Sequence, residues 1–132
     1  MKSFTFENDN TRVQQRLGLL YLEGTNILYS GKNIEMLDTF EGYPVRIVGN
    51  FFEGRPHGLW LTYDCNDLLI MKMNFSYGLL NGIIESFDPE NNGNKIIEGR
   101  YKNDKKEGYW RHFNDNGVIE KVEHWIEGEL VN

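Results

Sequence analysis

The feature that most constrains this chain is an internal repeat with a period of 24 to 26 residues. Segments opening at Gly58, Gly82 and Gly108 read GLWLTYDCND, GIIESFDPEN and GYWRHFNDNG. Each carries Trp or Ile two positions on, an aromatic residue five positions on (Tyr63, Phe87, Phe113), and then Asp or Asn. The segments before those glycines align as well. GNFFEGRPHG (49–58) matches GRYKNDKKEG (99–108), and MNFSYGLLNG (73–82) and EHWIEGELVN (123–132) are looser copies. Phe51, Phe75, Tyr101 and Trp125 thus share an aromatic column at spacings of 24, 26 and 24, and Gly54, Gly78, Asp104 and Gly128 share a turn column. A chain with such a period stacks like units, each burying its apolar face against its neighbours.

Each unit reads as a two-stranded hairpin. A first strand follows the repeat glycine (Leu59–Tyr63, Tyr109–Phe113), and a polar turn comes next (DCND, DPENNGN, NDNG). A second strand covers 68–75, 95–102 or 118–126. Short strands at regular spacing with Gly, Asn and Asp between them predict a β-meander. The glycines are expected to supply positive φ at the turns, a conformation that Asp104 also tolerates. Aromatics form 14% of the chain and alanine is absent, which favours strands over helices. Alternation places Leu69, Met71, Met73 and Phe75 on one face, with Ile97, Gly99 and Tyr101. The expected fold is all-β: an elongated antiparallel sheet of stacked hairpins with a divergent N-terminal unit.

A length of 132 residues makes one domain. It divides into an N-terminal edge or cap (1–17), a divergent first unit (18–57) and repeats at 58–81, 82–107 and 108–132. In the divergent part, Leu19–Leu22 and Asn26–Tyr29 look like a strand pair. Residues 32–41 read either as part of a degenerate unit opening at Gly31 or as a short helix. Met1–Gln15 either pairs at the sheet edge or caps it.

Composition removes several function classes. A net charge of −6 and a pI near 5.0 argue against a nucleic-acid backbone as partner. One cysteine allows no disulfide framework and no thiolate metal cage. The N-terminus carries no apolar signal region, and the longest apolar run, Leu68–Met71, is far short of a membrane span. The expectation is a soluble, cytoplasmic protein.

At the level of family, the pattern aromatic-x-x-Gly-x-x-x-Gly-x-Trp-x-x-aromatic resembles the MORN repeat, in particular its bacterial variant in the YwqK-type antitoxin and immunity family. GNFFEGRPHGLWLTY and GRYKNDKKEGYWRHF look like members, and LLYLEGTNILYSGK is similar to that variant's opening segment. The likeness spans residues 18–132. Departures are Ile83–Ile84 where the other units carry an aromatic residue or Leu beside Trp, Asp104 for Gly and Asn132 for the last Gly. The resemblance implies stacked hairpins and an interaction role, and its columns are structural, so no catalytic residue carries over.

Searching residue by residue for chemistry yields little. His57, His112 and His124 have no metal-ligand spacing, and Cys65 has no second thiol or nominated base. The pairs Asp64/Asp67, Asp88/Glu90 and Glu127/Glu129 lie in turns, where acids form turns. Gly31-Lys32-Asn33 lacks the rest of a phosphate loop. Charge is distributed unevenly, however. Residues 115–132 carry a balance of −4, whereas 95–111 hold six basic side chains against three acids.

The reading is therefore a non-catalytic protein-binding module, an antitoxin or immunity protein that covers a toxin's active surface. Its expected partner is a protein, a basic toxin or effector, with no nucleic acid, cofactor or metal. The candidate contact residues are Trp60, Tyr63, Trp110, Phe113, Glu120, Glu123 and Glu127. The alternatives are a MORN-type scaffold or membrane-surface module using the basic stripe at 95–111, and an enzyme with a carboxylate site.

Overall fold

The computed structural model describes residues 2–131; Met1 and Asn132, the latter at the last position of the glycine column, lie outside the described residues. Strands dominate, and every strand pairing is antiparallel. β1 (Lys2–Phe6), β2 (Asp9–Arg16) and β3 (Leu19–Leu22) make a three-stranded sheet. A second sheet contains β4 (Gly31–Phe40), β5 (Tyr43–Phe52), β6 (Arg55–Pro56), β7 (Gly58–Tyr63), β8 (Leu69–Ser76) and β9 (Leu79–Leu80). It continues through β10 (Gly82–Asp88), β11 (Asn94–Lys102), β12 (Lys105–Phe113), β13 (Ile119–Ile126) and β14 (Glu129–Leu130). The order is β4-β5-β7-β8-β10-β11-β12-β13-β14, with β6 on β5 and β9 on β8. This is the expected all-β stack of consecutive hairpins.

Two kinds of turn repeat along it. At the turn column, Glu53/Gly54, Tyr77/Gly78, Asn103/Asp104 and Glu127/Gly128 have positive φ at both residues. That is the signature of tight hairpin turns whose twist matches the strands. Each column residue also donates its N–H to a carbonyl of the preceding unit: Gly54 to Tyr29, Gly78 to Pro56, Asp104 to Leu80 and Gly128 to Lys106. Asp104 holds the position without glycine because its carboxylate accepts the Leu80 N–H at 2.6 Å. At the opposite ends of the strands, Asp64 and Asn114 each accept two backbone N–H groups, from 66 and 68 and from 116 and 118. The middle copy, Asp88, caps the short 3-10 turn Pro89–Asn91 instead.

Two glycines have a different reason from the one expected. Gly49 and Gly99 are not at positive φ; the indoles of Trp60 and Trp110 lie flat on them. A β-carbon at either would sit 2.0 or 2.2 Å from the ring. In the middle unit the columns read Met73 and Ile84, so the glycine became larger where the tryptophan became smaller. Steric volume between neighbouring strands is thereby conserved, as close packing requires.

A bulge recurs in all three units, between Thr62 and Tyr63, Ser86 and Phe87, and His112 and Phe113. It corrects the expected facing of Leu69, which pairs with Tyr63 and so leaves the face of Met73 and Phe75. The two aromatic columns consequently occupy opposite faces. Phe51, Phe75, Tyr101 and Trp125 line an inner face with Trp60 and Trp110. Tyr63 lies outside beneath Arg46, whose guanidinium is 4.5 Å from the ring, and Phe87 near Lys72 at 5.9 Å.

The N-terminus departs most from expectation. Residues 31–40 are a strand, not a helix. Of the expected pair, Leu19–Leu22 forms, while 26–29 contributes only the bridge Tyr21–Leu28. The β1–β3 sheet lies over the inner face rather than extending it. Phe6, Val13, Leu20 and Tyr29 close the core on Ile34, Phe51 and Trp60. Phe6 stacks on Phe51 at 5.4 Å, and the Tyr29 hydroxyl donates to Asp9 at 2.7 Å. Burying each such aromatic contributes about 2–3 kcal/mol, which a lone sheet layer cannot obtain.

Candidate functional site

Beyond β8 the inner face has no second layer among the described residues. The side chains that line it come from β11, β12 and β13, by the alternation that buries Phe51 and Trp60 in the first half. Tyr101 meets Trp110 edge-on, centroids 5.2 Å apart at 89°. Fifty residues earlier Phe51 meets Trp60 at 5.3 Å and 90°. The same ring platform is thus built twice, and the chain's own N-terminal sheet sits on one copy.

On the second copy lies Lys106, its Nζ 4.5 Å from the Trp110 ring and 4.4 Å from the Trp125 ring. Trp110 donates its indole N–H to the Arg100 carbonyl at 3.1 Å. An open depression of about 550 Å³ is lined here by Tyr101, Asp104, Lys106, Trp125, Glu127 and Glu129. At its side, Glu123 receives His112 Nε2 at 3.1 Å and Lys121 Nζ at 3.3 Å. Those two partners, His112 foremost, hold the Glu123 carboxyl below the usual carboxylate range.

The seven residues singled out in the sequence do not converge on one surface. Trp60 is 4% exposed beneath the N-terminal sheet, and Trp110 is 4% exposed between Tyr101 and Lys106. Tyr63 and Phe113 belong to the outer face. Glu123 lies on the inner face beside Trp125, while Glu120 and Glu127 are exposed in and just beyond β13. Lys106, Tyr101 and Trp125, which build the second platform with Trp110, are not among the seven. The signal was available: counting back in twos from Trp110 puts Lys106 on the same face, once the strand is extended to Lys105.

Half of the basic stripe, Lys95, Lys106 and Arg111, is engaged within the sheet. Lys95 bonds Glu85 at 2.6 Å and Glu98 at 2.7 Å, partners that raise its pKa. Arg111 reaches Glu98 at 3.6 Å. The histidines are likewise engaged: His57 Nδ1 accepts the Tyr77 N–H, and His124 stacks on Tyr109 at 4.4 Å. Among the described residues no group of three or more His, Cys, Asp or Glu could hold a metal ion. No helix of the described residues is long and apolar enough to cross a membrane.

Comparison with protein-family models, curated proteins and solved structures gives no match.

Proposed function

We propose that the protein is a non-catalytic protein-binding module of MORN-like hairpins, acting as an antitoxin or immunity protein. The supporting observation is the duplicated ring platform with one copy covered. Phe51 and Trp60 carry a second sheet layer, whereas Lys106 alone lies over Trp110, and Tyr101 and Trp125 beside it are half-buried. Aromatic platforms with a polar rim are the usual anchors of protein interfaces. Asp104, Glu127 and Glu129, set against Lys105 and Lys106, leave the depression acidic by one charge, which favours a basic partner. Association with such a partner weakens as salt rises.

The membrane-surface alternative draws less support, since the net charge is −6 and three of the six basic side chains, Lys95, Lys106 and Arg111, are already engaged. Co-purification with the product of the adjacent gene tests the antitoxin reading. Capture that is lost in Trp125→Ser supports it; the absence of binding by any encoded neighbour overturns it.

A further inference from the structure

The two edges of the long sheet are finished differently. At β4 the turn after β1 plugs the edge. Asn8 accepts the Glu35 N–H at 2.8 Å and donates to the Asn33 carbonyl at 2.6 Å, and Glu7 N–H bonds the Glu35 carbonyl at 3.1 Å. At the other end β14 pairs only with Trp125 and Ile126, and Val131 N–H bonds the His124 carbonyl at 2.8 Å. Among the described residues nothing pairs with the far side of 119–123. Within a strand, alternate residues direct their N–H and C=O to the same side. The His124 carbonyl faces the open side, so the Val122 N–H and C=O face it too. Unpaired edges of this kind are templates for strand addition.

Matched chemistry joins the units inside the chain. Across the three internal junctions the outer-face partners are Val48 with Leu61, Lys72 with Glu85 and Glu98 with Arg111. The positions that pair in the second and third junctions, 71–72 and 97–98, correspond to Lys121 and Val122 in β13. The open edge meets the same rule when paired with itself. Two copies of β13 related by a two-fold axis at Val122 set Val122 against Val122, and Lys121 against Glu123 of the other copy in both directions. The exposed apolar side chains Val118, Ile119, Val122, Ile126, Leu130 and Val131 also gather at this end.

We propose that two copies of this chain associate through β13, antiparallel about Val122, to make one continuous sheet. The surface is isologous, so the association closes at a dimer, and at the other edge the plug occupies β4 at Asn33 and Glu35. The three central pairs, 121 to 123, form beside β14. The bulge at Glu120 ends the regular edge on one side of them, and on the other the Val131 N–H on the His124 carbonyl holds β14 against the strand as a guard that limits pairing.

Sedimentation velocity over a concentration series tests this with the full chain. The wild type is expected to dimerise reversibly. Lys121→Glu and Glu123→Lys, each placing like charges opposite one another, should weaken self-association at least tenfold. An equimolar mixture of those two variants should restore it, because every cross-pair is then opposite in charge. Val131→Pro removes the guarding N–H and should strengthen the dimer. Circular dichroism confirms that each variant folds. A wild type that stays monomeric at all concentrations, a mixture that fails to associate, or a weaker dimer in Val131→Pro overturns the proposal.

Discussion

The two halves of the long sheet use the same repeat columns to different ends. In the first half, Phe51 and Trp60 face a second sheet, and Val13 above them is fully buried. In the second half, Tyr101 and Trp110 adopt the same edge-on geometry, yet a lysine and a neighbouring tryptophan take the place of the layer. The difference shows that the repeat builds the platform and that a non-repeating segment decides whether the platform is core or surface. A single layer persists where Lys106 lays its stem and charge over two rings, a contact that shields apolar area while its head stays hydrated.

The largest expected effect comes from the glycines beneath the tryptophans. Gly49→Ala should cost about 3 kcal/mol, because Trp60 is trapped between two layers, and Gly99→Ala about 1 kcal/mol, because Trp110 has room to lift. Urea unfolding of both variants measures the gap; equal losses would erase the contrast between the halves. Combining Gly99→Met with Trp110→Ile imitates the Met73/Ile84 unit and should recover most of the loss.

Next is the strap between the layers. Tyr29→Phe removes a hydroxyl that donates to a carboxylate, at a cost of about 1.5–2 kcal/mol. The Thr11 backbone N–H, with the Tyr29 hydroxyl, holds the Asp9 carboxyl below its ordinary value of 3.8. Its stabilising contribution is therefore complete above that pH and fades as pH falls through the lowered value. Burial, with Asp9 nearby, pushes the Tyr29 hydroxyl above its ordinary 10.0. That contribution holds below pH 10.0 and is lost as pH rises further. Stability of Tyr29→Phe, followed by thermal melts, should depend less on pH at both extremes.

Smaller still is the contrast between the two indoles. Trp110 N–H has the Arg100 carbonyl, whereas Trp60 N–H has no partner among the described residues. Trp110→Phe should accordingly cost about 1 kcal/mol more through this term than Trp60→Phe, as read from paired denaturation curves. The smallest change is Lys106→Gln, worth about 0.5 kcal/mol. It should also alter the tryptophan emission of the second half alone, which fluorescence in Trp60→Phe resolves.

Much of the fold was legible because its signals are local. The Asp64, Asp88 and Asn114 turns, the positive-φ pairs and the strand faces each depend on residues within a few positions of one another. Even the tolerance of Asp104 in a glycine column followed from its side chain. The facing of Leu69 was not legible, because a bulge reverses alternation without changing composition. Residues 32–41 were ambiguous for another reason: β4 is covered unevenly by the N-terminal sheet, so its apolar residues follow no clean period. The candidate site was legible only in part. Its aromatics stood in the columns, but Lys106 becomes a site residue through its approach to two rings from neighbouring strands.

By itself the sequence determined the period, the hairpins, their turns and the two faces of the sheet, because each is written in spacing and side-chain type. Only the tertiary structure decided which stretch of the inner face is core, which edge is plugged and which is open. Those outcomes rest on contacts such as Phe6 with Phe51 and Asn8 with Glu35. Such contacts join segments far apart in the chain, one of them outside the repeat, and no local pattern encodes where a non-repeating layer will land.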